Sequence, residues 1–298
     1  MTPADPSLPA PQDVLSGLKH LMELRQLPPT WDGQTRYEGN RNARYPLPRV
    51  FGGQVLGQSL MAAAHTVPQD RAMHSMHGYF LRPGDGGVPI EFVVENLRDG
   101  RSYSARRVLA CQHDRPIATM SASFQVTEQG LDHQDEMPDV TPPEELPTTA
   151  QVLGHIDHPT ARYWSHERPF DVRHVDPPIY LTPTCAPAGP SAVWMKAVAP
   201  LPDSPVLHRA LLAYAADYTM LEPILRRHGR SWVSRQDMAS LDHAMWWHRP
   251  ARVDEWLLYV LGTPSAQGGR GLGTGRVFAR DGRLVATIAQ EGMFRIGD

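Results

Sequence analysis

Hydrophobic and polar positions along the chain follow two periods, one helical and one extended. Between residues 53 and 65 apolar side chains recur at helical spacing, with Leu56, Leu60 and Ala64 on one face. Runs rich in Val, Ile, Tyr, Phe and Thr follow, and Gly, Pro or Asp separate them, as expected for β-strands joined by turns. The strands predicted in this first half cover residues 73–82, 89–97, 102–111 and 116–126.

The second half repeats this order of elements. A helix is predicted over residues 205–218, and a strand near Phe170–Val175 precedes it. The strands that follow cover residues 238–248, 255–263, 271–279 and 284–294. One apolar helix followed by antiparallel strands is typical of an α+β domain in which the helix packs on one face of a curved sheet. Two such units would join through their edge strands.

Sequence similarity between the halves indicates a duplication. Residues 100–120 read GRSYSARRVLACQHDRPIATM, and residues 269–288 read GRGLGTGRVFARDGRLVATI, at an offset of 169 that falls to 168 after the intervening turn. Upstream, Tyr79–Pro83 matches Trp246–Pro250 at an offset of 167. Two unrelated β-hairpins would also give short matches, but two blocks in the same order favour a repeat.

The segment between the halves has a different composition. Residues 128–147 hold seven acidic side chains and four prolines, with neither Lys nor Arg. Such a stretch is expected to be exposed and largely irregular. The sequence therefore predicts an N-terminal domain at 1–127, an acidic Pro-rich linker at 128–169 and a C-terminal domain at 170–298.

Composition narrows the classes of function. The 298-residue chain is 41% hydrophobic and 20% charged, with a formal net charge of −3, so neither nucleic acid nor a membrane surface is expected as a partner. Two cysteines, Cys111 and Cys185, are too few for a disulfide framework and indicate reduced thiols. The sequence shows no signal-peptide pattern, no apolar run long enough for a membrane span and no peroxisomal tripeptide, which predicts a cytoplasmic protein.

The second predicted helix carries an acidic residue close to its buried face. Ser204 can cap this helix and Pro205 suits its first turn. Asp217 falls at the border of the stripe that should face the sheet, where a carboxylate is costly to desolvate without a partner. An Asp whose head group reaches water would explain the position equally well. The stripe consists of Leu207, Ala210, Leu211, Tyr214, Ala215 and Tyr218.

Two further polar residues interrupt apolar strands in the same half. Ser240 begins the run Ser-Leu-Asp-His-Ala-Met-Trp-Trp, and Gln290 ends the run Leu-Val-Ala-Thr-Ile-Ala-Gln. The matching positions of the first half hold Met73 and Ala122. Taken singly, each is explained as a satisfied polar residue at a strand end. Together with Asp217 they indicate one polar site per chain, which only the second half possesses.

Several ordered blocks resemble the type II acyl-CoA thioesterases, the double hot-dog family. The resemblance covers about residues 15–126 and 190–295. It implies an α+β, tandem (double) hot-dog fold, with two curved antiparallel sheets each packed on a central helix, and hydrolysis of fatty acyl-CoA to free fatty acid and CoA. The blocks are RVFGGQVLGQ (49–58), HSMHGYFLRPG (74–84), NLRDGRS (96–102), YAADY (214–218), ASLDHAMWWHRP (239–250), EWLLY (255–259) and QEG (290–292).

The resemblance also implies a catalytic trio, Asp217, Ser240 and Gln290, with Ser240 where the family usually has Thr. Asp217 would act as general base on a water that Ser240 and Gln290 orient. A backbone N–H of the Gly52-Gly53-Gln54 turn is a candidate donor to the thioester oxygen. Direct attack by Asp217 through an anhydride is the alternative. The expected partner is the acyl-CoA substrate, with no cofactor and no metal, and pairing of sheet edges predicts a homo-oligomer.

Other chemistries fit the sequence less well. The Gly-x-Ser-x-Gly motif of an α/β-hydrolase is absent. His74 with His77, or His243 with His248, lack the third ligand and the spacing of a zinc motif. Hot-dog enoyl-thioester hydratases pair a His with an Asp that precedes Asn-Pro, and this chain has no Asp-Asn-Pro. A non-catalytic acyl-CoA-binding protein is the remaining alternative.

Overall fold

The structure is a computed structural model that describes residues 8–42, 44–183, 190–234 and 236–296; Cys185 lies outside these ranges. The first half contains α1 (Pro11–Met22), β1 (Leu24–Leu27), β2 (Thr35–Gly39), α2 (Gly52–Ala64), β3 (Arg71–Phe80), β4 (Ile90–Asp99), β5 (Tyr103–Gln112) and β6 (Arg115–Val126). Between the halves lie a 3₁₀ turn (Pro143–Glu145), α3 (Thr149–Leu153), α4 (Pro159–Arg162) and a π-helical turn (Tyr163–Glu167). The second half contains β7 (Phe170–His174), β8 (Ser191–Ala197), α5 (Pro205–Ala216), α6 (Glu222–Arg227), β9 (Gln236–Ser240), β10 (Asp242–Trp247), β11 (Leu257–Gln267), β12 (Arg270–Ala279) and β13 (Leu284–Ile296).

Every strand predicted from the sequence is present, and the two central helices begin within one residue of their predicted starts. The strand predicted at 238–248 is divided into β9 and β10, with a break at Leu241. The helix predicted at 205–218 ends at Ala216, so Asp217 is its C-terminal capping residue. The elements α1, β1, β2, β8 and α6 were not predicted.

The described strands form one antiparallel sheet, in which the two predicted sheets are joined edge to edge, as expected. The order along the sheet is β1-β2-β4-β5-β6-β3-β10-β13-β12-β11-β8-β7, and β9 pairs with β13 beside this path. The halves merge because β3 and β10 pair with each other, with Met76 opposite Met245. This pairing satisfies the backbone groups that each half would otherwise present at an open edge.

The hydrogen-bond register supports the duplication. His77 pairs with Ser121 between β3 and β6, and Ala244 pairs with Ala289 between β10 and β13. Ala244 lies 167 positions after His77, and Ala289 lies 168 positions after Ser121, as the upstream and downstream sequence matches require. The order of strands outward from the β3–β10 junction is also the same in both halves.

The offset of 169 inferred for β5 and β12 is wrong by two residues. The β5–β6 register shifts between Ala110 and Cys111, and the β12–β13 register shifts between Val277 and Phe278. Val277 lies 167 positions after Ala110, so the offset between β5 and β12 is 167. Since side chains alternate with a period of two along a strand, a slip of two residues leaves every side chain on its original face. The apolar pattern therefore could not reveal the error.

Helices α2 and α5 lie antiparallel and in close contact. A β-carbon added at Gly53 would lie 2.2 Å from the carbonyl oxygen of Tyr214, and one added at Gly57 would lie 3.4 Å from that of Ala210. Residues 210–216 are all buried, so α5 is covered on every side and not only along the predicted stripe. The antiparallel arrangement brings the C-terminal end of α5 to the N-terminal end of α2.

The stretch expected to be exposed and largely irregular, residues 128–147, has these properties apart from the 3₁₀ turn at Pro143–Glu145. Residues 128–142 have no regular structure and are mostly exposed. Residues 149–167 instead form short helices, with Leu153 and Tyr163 buried. Composition could not predict this packing, because its partners lie far away in the sequence. Among the described residues, no helix has both the length and the apolar character that a membrane span requires.

The close approach of the two helices yields a stability prediction. Gly53→Ala places a methyl group against a backbone oxygen that cannot move aside, and we expect a loss of about 1–3 kcal/mol in the free energy of unfolding. Gly57→Ala is the matched control, because its nearest neighbour is the flexible end of the Met22 side chain at 3.1 Å. We expect it to change stability by less than about 1 kcal/mol, since Ala also favours the helix. Urea unfolding of both variants tests this, and equal losses would contradict it.

Candidate active site

The carboxylate of Asp217, in the second half of the chain, accepts a hydrogen bond from the first half. It is half-buried at the end of α5, and its Oδ2 accepts the backbone N–H of Gly53 at 2.9 Å. Gly53 is the second residue of α2, where free N–H groups and the helix dipole favour an anion. A β-carbon at Gly52 would lie 2.6 Å from the same oxygen, so the carboxylate fits only against a glycine.

Gln290 joins Asp217 to Ser240. Its amide Nε2 donates to Asp217 Oδ1 at 2.9 Å and to the Ser240 hydroxyl oxygen at 2.7 Å. The side chain is fully buried on β13. Ser240 ends β9 and pairs with Gly292, two residues beyond Gln290 on the same strand. The structure thus brings the three predicted residues into one hydrogen-bonded group, while their catalytic role stays a prediction.

A break in the strand sets the position of Ser240. The N–H of Leu241 donates to the carbonyl of Glu291, and the N–H of Glu291 donates to Asp242 Oδ1 at 2.8 Å. The register of β3 shifts at the equivalent point, between Met73 and Ser75. Asp242 therefore does not simply share the strand face of Ser240, because its carboxylate fastens the break to β13.

Gly273 makes room for the acidic turn. It pairs with Gln290, and a β-carbon there would lie 2.0 Å from the carbonyl oxygen of Met220, in the turn that follows Asp217. In the first half the corresponding pair is Arg106 with Ala122. The Arg106 guanidinium is buried and donates to the carbonyl oxygen and hydroxyl of Thr66, just beyond α2. The two halves thus differ at this position, with a glycine in the second half and a large buried cation in the first.

Asp217 and Ser240 lie in the wall of a cavity of about 1150 Å³. Large clefts of this kind, mostly apolar with a few convergent polar groups, are typical of ligand sites. Tyr218 lines the cavity, whereas Met61, Trp246 and Trp247 are absent from its lining. Much of the apolar wall comes from the connecting segment and its neighbours: Leu153, Ile156, Ala161, Trp164, Tyr180 and Trp232.

His243 is a site residue that the sequence reasoning missed. It is fully buried, and its Nδ1 lies 2.5 Å from Gln290 Oε1. The available signal was its spacing, because it alternates with Met245 and Trp247 on the inward face of β10. His248 lies on the surface with Nε2 2.8 Å from the Thr287 hydroxyl, whereas His243 is fully buried. The described residues contain no cluster of His, Cys, Asp and Glu fit to hold a metal ion.

Comparison with known proteins identifies the family. Residues 43–125 match a family model described as the acyl-CoA thioesterase N-terminal domain, and residues 183–293 match one described as acyl-CoA thioesterase. Acyl-CoA thioesterase 2 of Haemophilus influenzae is 37% identical over 294 residues, which cover 96% of this chain and 99% of that protein. The chain belongs to the acyl-CoA thioesterase family.

Further relatives and solved structures are similar to this chain over most of its length. Acyl-coenzyme A thioesterase 8 of Mus musculus is 40% identical over 260 residues, covering 83% of this chain and 81% of that protein. The crystal structure of acyl-CoA thioesterase II from Mycobacterium marinum superimposes with a TM-score of 0.75 at 40% identity, covering 94% and 98% of the two chains. A hot-dog protein from Alicyclobacillus acidocaldarius has a TM-score of 0.71 at 21% identity, with 94% and 98% coverage. The chain thus has an α+β hot-dog fold with a large antiparallel sheet.

The hydroxyl of Ser240 yields a prediction for the reaction of this family. Ser240→Ala leaves one N–H of the buried Gln290 amide without its acceptor, a loss of about 1–3 kcal/mol. Expressed in the transition state, this loss lowers the rate of thioester hydrolysis about 5- to 150-fold. Ser240→Thr keeps the hydroxyl and should stay within about threefold of the parent rate. Hydrolysis rates of the two variants, measured beside their thermal unfolding, test this. Parent-like turnover by Ser240→Ala would contradict it.

Proposed function

We propose that this chain hydrolyses fatty acyl-CoA to a free fatty acid and CoA, with Asp217 as the general base. One observation carries the proposal: the Asp217 carboxylate is held by Gly53 and Gln290 in the wall of a large, mainly apolar cavity. The relatives named as acyl-CoA thioesterases support the choice of substrate. The catalytic role of Asp217, Ser240 and Gln290 rests on this geometry together with the resemblance.

The hydrogen bonds leave the site ready to bind a water molecule. Each carboxylate oxygen of Asp217 accepts one donor from the protein, so each keeps a lone pair for a further donor. Ser240 accepts from Gln290 and therefore has its own O–H free to donate to the oxygen of that water. Asp217 would take one proton from the water as the water oxygen attacks the thioester carbon, and the thiolate of CoA would leave.

The hydrogen bonds at the start of α2 support one candidate donor to the developing oxyanion. In the Gly52-Gly53-Gln54 turn, the N–H of Gly53 is bound to Asp217 and that of Gln54 to the carbonyl of Phe51. The N–H of Gly52 has no acceptor among the described residues, and Gly52 lines the cavity. We therefore assign Gly52 as the donor, since the first N–H groups of a helix are free to bind a negative oxygen.

The distribution of polar residues around the cavity suggests how the substrate lies. The exposed side chains of Arg49 and Arg82 belong to its lining and could pair with the phosphates of CoA. The aromatic and aliphatic wall around Trp164 and Trp232 offers an apolar surface to the acyl chain. The thioester would then reach Asp217 between these two regions.

The finer description of the fold is part of this proposal. We assign the chain as a tandem double hot-dog, with α2 and β1–β6 in one unit and α5 and β7–β13 in the other. The matching registers of β3–β6 and β10–β13 support it. The domain limits 1–127, 128–169 and 170–298, the cytoplasmic location and the homo-oligomeric state stay predictions.

Replacement of Asp217 tests the site. Asp217→Asn keeps the size of the side chain but removes the base, and we expect the release of CoA thiol from palmitoyl-CoA to fall about 10²- to 10⁴-fold with thermal unfolding little changed. Cys111→Ala is the control and should keep full activity, because burial raises the pKa of the Cys111 thiol and leaves it a poor nucleophile. Near-parent turnover by Asp217→Asn would contradict the assignment. Palmitoyl-CoA binding without thiol release by the parent protein would favour the non-catalytic alternative.

Isotope labelling separates the two roles open to Asp217. In a single turnover in ¹⁸O-labelled water, a general base directs the label into the fatty acid and leaves Asp217 unlabelled. An anhydride hydrolysed at the aspartyl carbon would transfer the label to Asp217. We expect mass spectrometry of the peptide that contains Asp217 to show no label. Its appearance there would exclude a pure general-base mechanism.

A further inference from the structure

His243 occupies an unusual place for an ionisable residue. It is fully buried on the inward face of β10, between the two halves of the sheet, where it pairs in register with Gly78 of β3. Its neighbours on that face of the strand, Met245 and Trp247, are buried core residues. A polar ring in such a position is costly to desolvate unless it makes a specific hydrogen bond.

The hydrogen bond that His243 makes fixes its tautomer. Its Nδ1 lies 2.5 Å from Gln290 Oε1, which can only accept, so Nδ1 carries the proton. The other ring nitrogen, Nε2, is buried and has no hydrogen-bond partner among the described residues. Burial lowers the pKa of His243, against the opposing influence of Asp217, and keeps the ring neutral at neutral pH.

We propose that His243 is a positioning residue for hydrolysis, and that its Nδ1–H holds the Gln290 amide with both N–H bonds directed at Asp217 and Ser240. This inference rests on the function proposed above. A reversed amide would turn its oxygen toward the Asp217 carboxylate and the Ser240 oxygen. The negative charge of Asp217 opposes that reversal, but this charge is lost whenever Asp217 holds the proton taken from water. The hydrogen bond from His243 persists through the cycle, since its ring stays neutral.

The duplication provides independent support. His243 and Gln290 stand where the first half has Met76 and Ala122, which pair with each other across β3 and β6. Ser240 likewise stands where the first half has Met73. If the side chain at this position served only to pack β10 against β13, an apolar residue would be enough, as the fully buried Met76 shows at the equivalent position of the first half. The half that holds Asp217 is also the half that holds His243.

Three substitutions distinguish positioning from packing. His243→Asn keeps an N–H donor close to the place of Nδ1, His243→Gln carries its amide toward the place of Nε2, and His243→Leu has no donor. We expect kcat for palmitoyl-CoA with His243→Asn to stay within about threefold of the parent value. With His243→Gln and His243→Leu, kcat should fall about tenfold or more, and KM should stay within about twofold. The oriented amide acts on the transition state, whereas substrate binding does not depend on it.

A second background tests whether His243 acts through Gln290. In a Gln290→Ala protein the amide is absent, so His243→Gln should lower kcat no further, whereas independent effects would multiply. If His243→Asn and His243→Gln lose kcat equally, or if the loss persists in the Gln290→Ala background, the proposal is overturned. The Asn and Gln variants decide the matter even if His243→Leu does not fold. Absence of thiol release by the parent protein would remove the proposed function and this inference with it, whereas an active parent with the wrong variant pattern would overturn only the inference.

Discussion

One hydrogen bond across the two halves of the chain governs the candidate site: the N–H of Gly53 at the start of α2 donates to the carboxylate of Asp217 at the end of α5. The bond requires the two helices to run antiparallel and to approach within the reach of a bare backbone, which Gly53 permits and any larger residue would prevent. It also gives the acid a partner of complementary polarity without a neighbouring cation. A free arginine or lysine here would compete with water for the carboxylate, whereas a peptide N–H orients it and leaves its charge in place.

The two halves of the sheet differ around that bond. Gly273 lets the turn after Asp217 lie against β12, whereas the corresponding position of the first half holds Arg106. Polar side chains at Ser240, Gln290 and His243 stand opposite that turn, at positions that the first half fills with methionine and alanine. Each of these polar groups has a partner in the same network, which limits the cost of burying them. The first half kept an apolar core there and contributes the helix terminus that holds the acid.

The sequence was informative where its signals are local. Alternating runs located β3–β6 and β10–β13, Ser204 and Pro205 located the start of α5, and three polar residues in apolar surroundings marked the site. Features set by distant contacts escaped it. The pairing of β3 with β10 joins residues far apart in the sequence, β8 follows a Pro-rich stretch with no clear period, and residues 149–167 pack on partners that the sequence does not identify. The alternation of His243 with Met245 and Trp247 indicates burial, but the sequence does not show which neighbour its ring will meet.

The short helices between the halves contribute wall to the cavity without carrying any of the four residues of the hydrogen-bonded group. Leu153, Ala161 and Trp164 come from a segment that is joined to the sheet by packing rather than by the ladder. Insertions, deletions and side-chain exchanges in that segment can therefore reshape the space offered to an acyl chain while the geometry around Asp217 stays constant. Under the proposed function, the fit of the acyl chain and the chemistry at Asp217 therefore depend on different parts of the chain.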